Sequence, residues 1–170
     1  MSGARDFFLP AELVEAARRV VDANRAAGLS IAVAESCTGG LVTAALTEIP
    51  GSSDVLEAGF VTYSNAAKIA MLGVSEDVLD TFGAVSVAVA WAMAQGALNR
   101  SGADVAVSIT GIAGPGGGTE AKPVGTVHIA IAGPAGHKHR HIHWPGPRTI
   151  VKWMSTQQAL DLLRRNVLKT

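Results

Sequence analysis

Ser36 stands where an apolar run, Leu29 to Val33, gives way to a helical pattern beginning near Leu41, within Ala34-Glu35-Ser36-Cys37-Thr38-Gly39-Gly40. In open α/β sheets that junction is where ligands bind, because the loop at the carboxyl end of a strand is exposed and helix N–H groups point into it. A serine hydroxyl there is a candidate nucleophile; the same residue is also a favoured helix N-cap. A second predicted strand end carries Tyr63-Ser64-Asn65-Ala66-Ala67-Lys68, so a hydroxyl, a phenol and an amine could meet in one crevice, as a hydrolase requires. No histidine precedes His128, which leaves Lys68 as the nearest base, and a lysine serves once burial lowers its pKa. The pair is too far apart for the single-helix S-x-x-K pattern and must be assembled by the fold. Cys37 competes for the nucleophile role, with Glu35 and Lys68 completing a Glu–Lys–Cys set, since a thiol at a helix N-terminus is activated by the dipole. The plainer alternatives are a buried Cys37, a packing Tyr63 and a solvated Lys68.

Further on, Thr110-Gly111-Ile112-Ala113-Gly114-Pro115-Gly116-Gly117-Gly118 is a loop whose glycines weaken a fold through backbone entropy unless tight turns or close approach to a ligand compensate. It lacks the G-K-[ST] ending of a P-loop and does not place G-x-G-x-x-G on a helix start. His137, His139, His141 and His143 alternate along one predicted strand and therefore share a face, with neighbours about 6.6 Å apart. Adjacent pairs could bind a transition metal; the expectation is a solvated histidine-rich edge strand, because no cysteine or carboxylate lies within the run.

The elements that must position these residues alternate. Pro10 opens an amphipathic helix that stops before Gly28, Leu29 to Ala34 reads as a buried strand, and Leu41 to Thr47 as a helix ended by Pro50-Gly51. Ala58 to Tyr63 is the next strand, Asn65 caps a short helix carrying Lys68, Ser75 starts another that ends at Gly83, and Ser86 opens a longer one to about Asn99. Asp104 to Ile109, Gly125 to Ala132 and His137 to Trp144 are strands, and the last helix runs from about Arg148 to Leu168. Alternation through Ile109 favours parallel pairing, whereas the short link between the last two strands suits only an antiparallel hairpin. The expected fold is α/β, a three-layer α/β/α sandwich with a mixed, mainly parallel sheet.

At 170 residues and 48% hydrophobic the chain is expected to form one domain with an ample core. Fourteen Lys plus Arg balance fourteen Asp plus Glu, so no net field favours nucleic acid or an anionic membrane. One cysteine excludes an internal disulfide framework, no apolar stretch approaches the roughly 20 residues of a membrane span, and the start lacks a signal-peptide pattern. The expected compartment is the cytoplasm.

Glu35-Ser36-Cys37-Thr38-Gly39-Gly40, Gly59-Phe60-Val61-Thr62-Tyr63-Ser64-Asn65 with Lys68, Gly83-Ala84-Val85-Ser86, Thr110-Gly111-Ile112-Ala113-Gly114-Pro115 and Lys122-Pro123-Val124-Gly125-Thr126-Val127 together resemble the C-terminal domain of the competence/damage-inducible CinA family, in order and over nearly the whole chain. Stand-alone members are nicotinamide mononucleotide amidohydrolases, so the resemblance implies hydrolysis of the nicotinamide carboxamide to nicotinate mononucleotide and ammonia. It implies the three-layer sandwich, no cofactor and no metal. Ser36, Lys68 and Tyr63 match the family's catalytic residues, which gives Ser36 the nucleophile role over Cys37, and Thr110 matches a binding threonine. The family's G-D-R motif appears as Gly146-Pro147-Arg148, and a following arginine as Lys152.

On that footing Lys68 takes the Ser36 proton, N–H groups near Gly39 and Gly40 hold the oxyanion, and Thr38, Thr110, Gly111, Gly114, Gly116, Gly117 and Arg148 bind substrate. Arg148 and the glycine loop would take the 5′-phosphate. Relatives suggest a homo-oligomer. Longer members carry an N-terminal domain linked to pyrophosphatase activity, for which this chain has no room, so that activity is not expected. The alternative class is a nucleotide-binding module without turnover, in which Ser36 merely caps a helix.

Overall fold

Punctuation by proline, serine and glycine sets the elements in the computed structural model, which describes residues 7–167. The Pro10 carbonyl accepts from Leu13 and Val14 N–H to open helix α1 (Ala11–Ala27), and Gly28, at φ 67°, closes it in the left-handed region. Strand β1 (Ile31–Glu35) is buried along its whole length and leads through a turn into helix α2 (Leu41–Thr47). A short 3-10 turn, Ser52–Asp54, precedes strand β2 (Leu56–Val61). Helices α3 (Asn65–Leu72), α4 (Glu76–Phe82) and α5 (Val87–Ser101) follow. Strands β3 (Val105–Gly111), β4 (Thr126–Ala132) and β5 (Lys138–His143) complete the sheet, and helix α6 (Arg148–Val167) ends the described chain.

The sheet order is β2-β1-β3-β4-β5. β1 pairs in parallel with both β2 and β3, while β4 is antiparallel to β3 and to β5, so β4 alone runs against the other four. This is the mixed, mainly parallel sheet expected from the alternation of elements and the short final hairpin.

Period-two alternation gives the two faces different side chains. Ile31, Val33, Val105, Val107, Ile109, Ile129 and Ile131 pack under α1, α2 and α6, and each such burial stabilises by about 1.5–3 kcal/mol. The opposite face presents Ala32, Ala34, Ala106, Ala130 and Ala132 to α5. Small residues on both partners bring α5 close to the sheet, and Gly96 of α5 leaves room for the Leu72 carbonyl at the end of α3. That close packing sets α3, and hence Lys68, against the carboxyl ends of β1 and β2.

Boundaries differ from expectation in ways that matter locally. Tyr63 lies beyond the end of β2, and Ser64, not Asn65, caps α3, its hydroxyl accepting from Ala67 N–H at 3.0 Å. β3 runs on to Gly111 because Thr110 and Gly111 pair with His128 and Val127 of β4, so these two residues are strand, not loop. α6 still begins at Arg148 with proline before it, since the Pro147 carbonyl accepts from Ile150 and Val151 N–H. Leu168, placed in that helix from the sequence, lies outside the described residues. Among the described residues no helix is long and apolar enough to cross a membrane.

Candidate functional site

β1 ends in Glu35, and the next residue turns out of the sheet. Ser36 N–H donates to the Ile109 carbonyl of β3 at 3.0 Å, and the Ser36 carbonyl accepts from Gly39 N–H at 3.0 Å, so the nucleophile candidate is fixed on both sides of its Cα. Its Oγ lies 3.0 Å from Lys68 Nζ. The two groups separated in sequence are therefore brought together by the parallel pairing of β1 and β2 and the first turn of α3.

Lys68 is 1% exposed, and burial pulls its pKa below the ordinary lysine value, opposed in smaller part by Cys37. Its other partners are the Thr62 carbonyl at 2.8 Å and the Tyr63 carbonyl at 3.4 Å. Carbonyls accept only, so in the neutral amine they hold its two N–H groups and leave the lone pair directed at Ser36 Oγ. A carboxylate in either place would instead hold the ammonium form.

The cavity beside this pair is about 270 Å³. Ser36, Lys68, Tyr63, Thr110 and Arg148 supply its polar groups; Ala84, Val85, Ile112 and Ala113 form apolar wall, and Gly111, Gly114, Gly116 and Gly117 bare backbone. No aspartate or glutamate lines it, whereas the Arg148 guanidinium does, which favours an anionic ligand. Gly114 and Gly117, at φ 87° and 86°, take backbone conformations that other residues avoid. At Gly111 an added Cβ would meet Val127 Cγ2 at 2.8 Å and Cys37 Sγ at 3.1 Å.

Arg148, at the start of α6, donates from Nη1 to the Gly114 carbonyl and from Nη2 to the Tyr63 hydroxyl, each at 2.8 Å. It thus ties the glycine loop to the β2–α3 connection, with further N–H donors remaining on the guanidinium. Tyr63, 60% exposed, stands at the mouth. Thr110 Oγ1 donates to the Ala84 carbonyl at 2.8 Å and joins the loop before α5 to the end of β3.

Three residues expected to bind substrate do not line the cavity. Thr38 is buried and donates to Glu35 Oε1 at 2.7 Å, Gly39 N–H is committed to the Ser36 carbonyl, and the Gly40 carbonyl accepts from Ala44 N–H as α2 begins. Lys152 also stands outside it, its ammonium 4.0 Å from the position a Gly39 Cβ would take. Cys37 does border the cavity, but burial, with the Glu35 charge adding to it, pushes the thiol up to about 12, so it stays protonated at neutral pH. The Glu–Lys–Cys set is not assembled, since the Glu35 carboxylate faces α2 instead. The apolar wall residues Ala84, Val85, Ile112 and Ala113 fall within motifs quoted from the sequence, where they were given no part in the site.

The histidines gather elsewhere. His139 and His141 of β5 stand with His128 of β4: His128 stacks on His141 at 4.4 Å between ring centroids, and His128 Nδ1 is 2.9 Å from His139 Nε2. His137 packs edge-on against Trp91 of α5, and His143 Nε2 is 2.9 Å from the Val124 carbonyl. Among the described residues no group of three or more His, Cys, Asp or Glu side chains is arranged to hold a metal ion.

Comparison with known proteins places these features in a lineage. The family model of the CinA C-terminal domain matches residues 13–167. A CinA-like protein of Shewanella sediminis is 51% identical over 142 residues, 83% of this chain and 34% of the relative. The crystal structure of a competence/damage-inducible protein from Agrobacterium tumefaciens superposes with a TM-score of 0.90 at 48% identity, covering 94% of this chain and 98% of that one. A CinA superfamily protein from Klebsiella pneumoniae gives 0.88 at 33% identity over 92% of this chain and 98% of its own. The chain spans about a third of the length of the curated relatives it matches.

Proposed function

The chain belongs to the CinA C-terminal domain family, and from that premise we propose that it is an amidohydrolase converting nicotinamide mononucleotide to nicotinate mononucleotide and ammonia. The observation that carries this reading is the 3.0 Å approach of Ser36 Oγ to a buried lysine whose other partners are carbonyls, beside a cavity lined by Arg148 and by no acid.

In this reading the Lys68 lone pair removes the Ser36 proton as Oγ attacks the carboxamide carbon. The tetrahedral oxyanion collapses as Lys68 returns that proton to the departing nitrogen, releasing ammonia and leaving an acyl-serine. Water, deprotonated by the same amine, then attacks the ester carbon; the proton passes back to Ser36 Oγ and nicotinate mononucleotide leaves. The Tyr63 hydroxyl accepts from Arg148 and so keeps its own proton to donate toward substrate. Arg148 and the glycine loop hold the 5′-phosphate, and Thr110 and Gly111 border the carboxamide. The oxyanion is not assigned to Gly39 and Gly40, because neither lines the cavity and the Gly39 N–H is held by the Ser36 carbonyl. No metal or cofactor enters a step. The reading is of a cytoplasmic homo-oligomer acting on a small molecule, with neither nucleic acid nor membrane as partner.

A panel of pyridine nucleotides and small amides, scored for ammonia with native and Ser36→Ala protein, tests this. Release from the mononucleotide that disappears in the variant is the expected result. Binding of the nucleotide with no ammonia from any amide would overturn it in favour of a non-catalytic binding module.

A further inference from the structure

Glu35 is fully buried at the end of β1, and no lysine or arginine is among its hydrogen-bond partners. A buried charge without compensation costs several kcal/mol. Here the compensation comes from short donors on both oxygens: Thr38 Oγ1 at 2.7 Å and Val42 N–H at 3.0 Å on Oε1, Thr43 N–H at 3.0 Å and Thr43 Oγ1 at 2.8 Å on Oε2. A strand residue thereby caps the helix that follows it, with Ser36 held in the intervening turn.

The backbone of the same residue reaches the other half of the pair. The Glu35 carbonyl accepts from Thr62 N–H at 2.8 Å, and the Thr62 carbonyl accepts from Lys68 Nζ at 2.8 Å. One residue therefore joins the turn that presents the hydroxyl to the strand end that holds the amine.

We propose that Glu35 is a positioning residue for the hydrolytic reaction, an inference that rests on that reading of the pocket. Its carboxylate clamps the Ser36–Gly40 turn to the N-terminus of α2, so that Ser36 Oγ stays in line with the Lys68 lone pair. It touches no reacting atom and takes no proton. By occupying the Val42 and Thr43 N–H groups, with the Leu41 N–H on the Thr38 carbonyl, it also closes that helix N-terminus to an oxyanion.

Glu35→Gln conserves size, but either amide orientation sets an NH₂ against a backbone N–H, of Val42 or of Thr43, so the clamp is lost. Misplacement by about 1 Å lowers rate on the order of 100-fold, and that fall is expected in kcat with KM within about twofold. Thr43→Val, which removes one side-chain donor at a partly buried position, is expected to show the same signature at about tenfold. The pH dependence of kcat should keep its inflection in both, because Glu35 acts on geometry and not on the Lys68 proton. Labelling of Ser36 by a fluorophosphonate probe should slow in parallel, and this readout needs no substrate.

Native kcat and native labelling rate in a folded variant with only a lowered Tm would overturn the proposal and make Glu35 a purely structural cap. If Glu35→Gln fails to fold, Thr43→Val decides by the same criteria. A native chain that labels at Ser36 yet releases no ammonia overturns the amide substrate, and the labelling rates then decide Glu35 independently.

Discussion

Lys68 of α3 and His128 of β4 lie in different parts of the molecule, and for both the first cause of a lowered pKa is burial. What surrounds them differs. Lys68 meets a hydroxyl that can give it a proton, carbonyls that orient it, and a cavity that admits a ligand. His128 meets His139, His141 and, at longer range, Lys122, whose charges add to burial in bringing it down to about 4. One group is poised against a partner of complementary function; the other is a base among bases. A displaced pKa thus measures burial and like charge, and it marks chemistry only where an acceptor or nucleophile and open space converge on it.

The largest effect should come from deleting the hydroxyl. Ser36→Ala is expected to lower kcat by at least about 10³-fold, as losing a covalent nucleophile does, while Cys37→Ala stays within a few-fold. An acyl adduct trapped and located by mass spectrometry at Cys37 would break the comparison at its first term.

Next comes the base, where general-base catalysis contributes about 10²- to 10⁴-fold. Lys68→Arg, which cannot shed its proton, and Lys68→Met should both lose that much. In the native chain activity should rise with pH through the lowered Lys68 pKa, because only the neutral amine accepts the proton. The stability consequence has the same sign. With the folded pKa below 10.5, the unfolded state binds the extra proton between the two values, so native stability there increases with pH. Lys68→Met removes that burden and should hold or raise Tm at neutral pH while abolishing turnover. A flat pH–rate profile, or active Lys68→Arg protein, would remove Lys68 as base.

Much of this contrast was legible in the sequence, for identifiable reasons. Strand ends followed by Ser36 and by Tyr63 to Lys68 pointed to residues that the fold brings to one cavity, because parallel pairing brings successive strand ends to one side of the sheet. The hairpin between β4 and β5 followed from the length of its link. What sequence could not show was direction. Nothing local says that Glu35 points at α2 and away from Cys37, that Thr38 follows it, or that the Gly39 N–H is already committed. Nor does the alternation of His137 to His143 reveal His128, which reaches them only through the β4–β5 register.

A smaller effect is expected at Arg148, the side chain proposed to hold the 5′-phosphate. Remote binding energy at the phosphate should position the carboxamide against Ser36. A charge-assisted contact contributes about 1.5–3 kcal/mol, so Arg148→Ala should lower kcat/KM for the mononucleotide roughly 10- to 100-fold. Nicotinamide riboside has no phosphate to lose and should be affected much less. Because Arg148 also holds Tyr63 and Gly114, the ratio between the two substrates isolates the phosphate contribution from general damage to the mouth. Equal losses on both would send the phosphate elsewhere.

The smallest effect should come from the histidine edge, and it is confined to stability. His128 has a folded pKa of about 4 against the ordinary 6.5, so between those values the unfolded state takes up a proton that the native state resists. The His128 contribution to stability is therefore level above pH 6.5 and falls as pH drops toward 4. His139 and His141 approach His128 from β5, and Arg140 adds its charge to His139. A Tm several degrees lower at pH 5 than at pH 7.5 is expected, and His128→Gln should shrink that difference while leaving the pH dependence of kcat untouched. Should His128→Gln shift the rate profile instead, the two basic groups are coupled across the sheet, and the separation drawn between them fails.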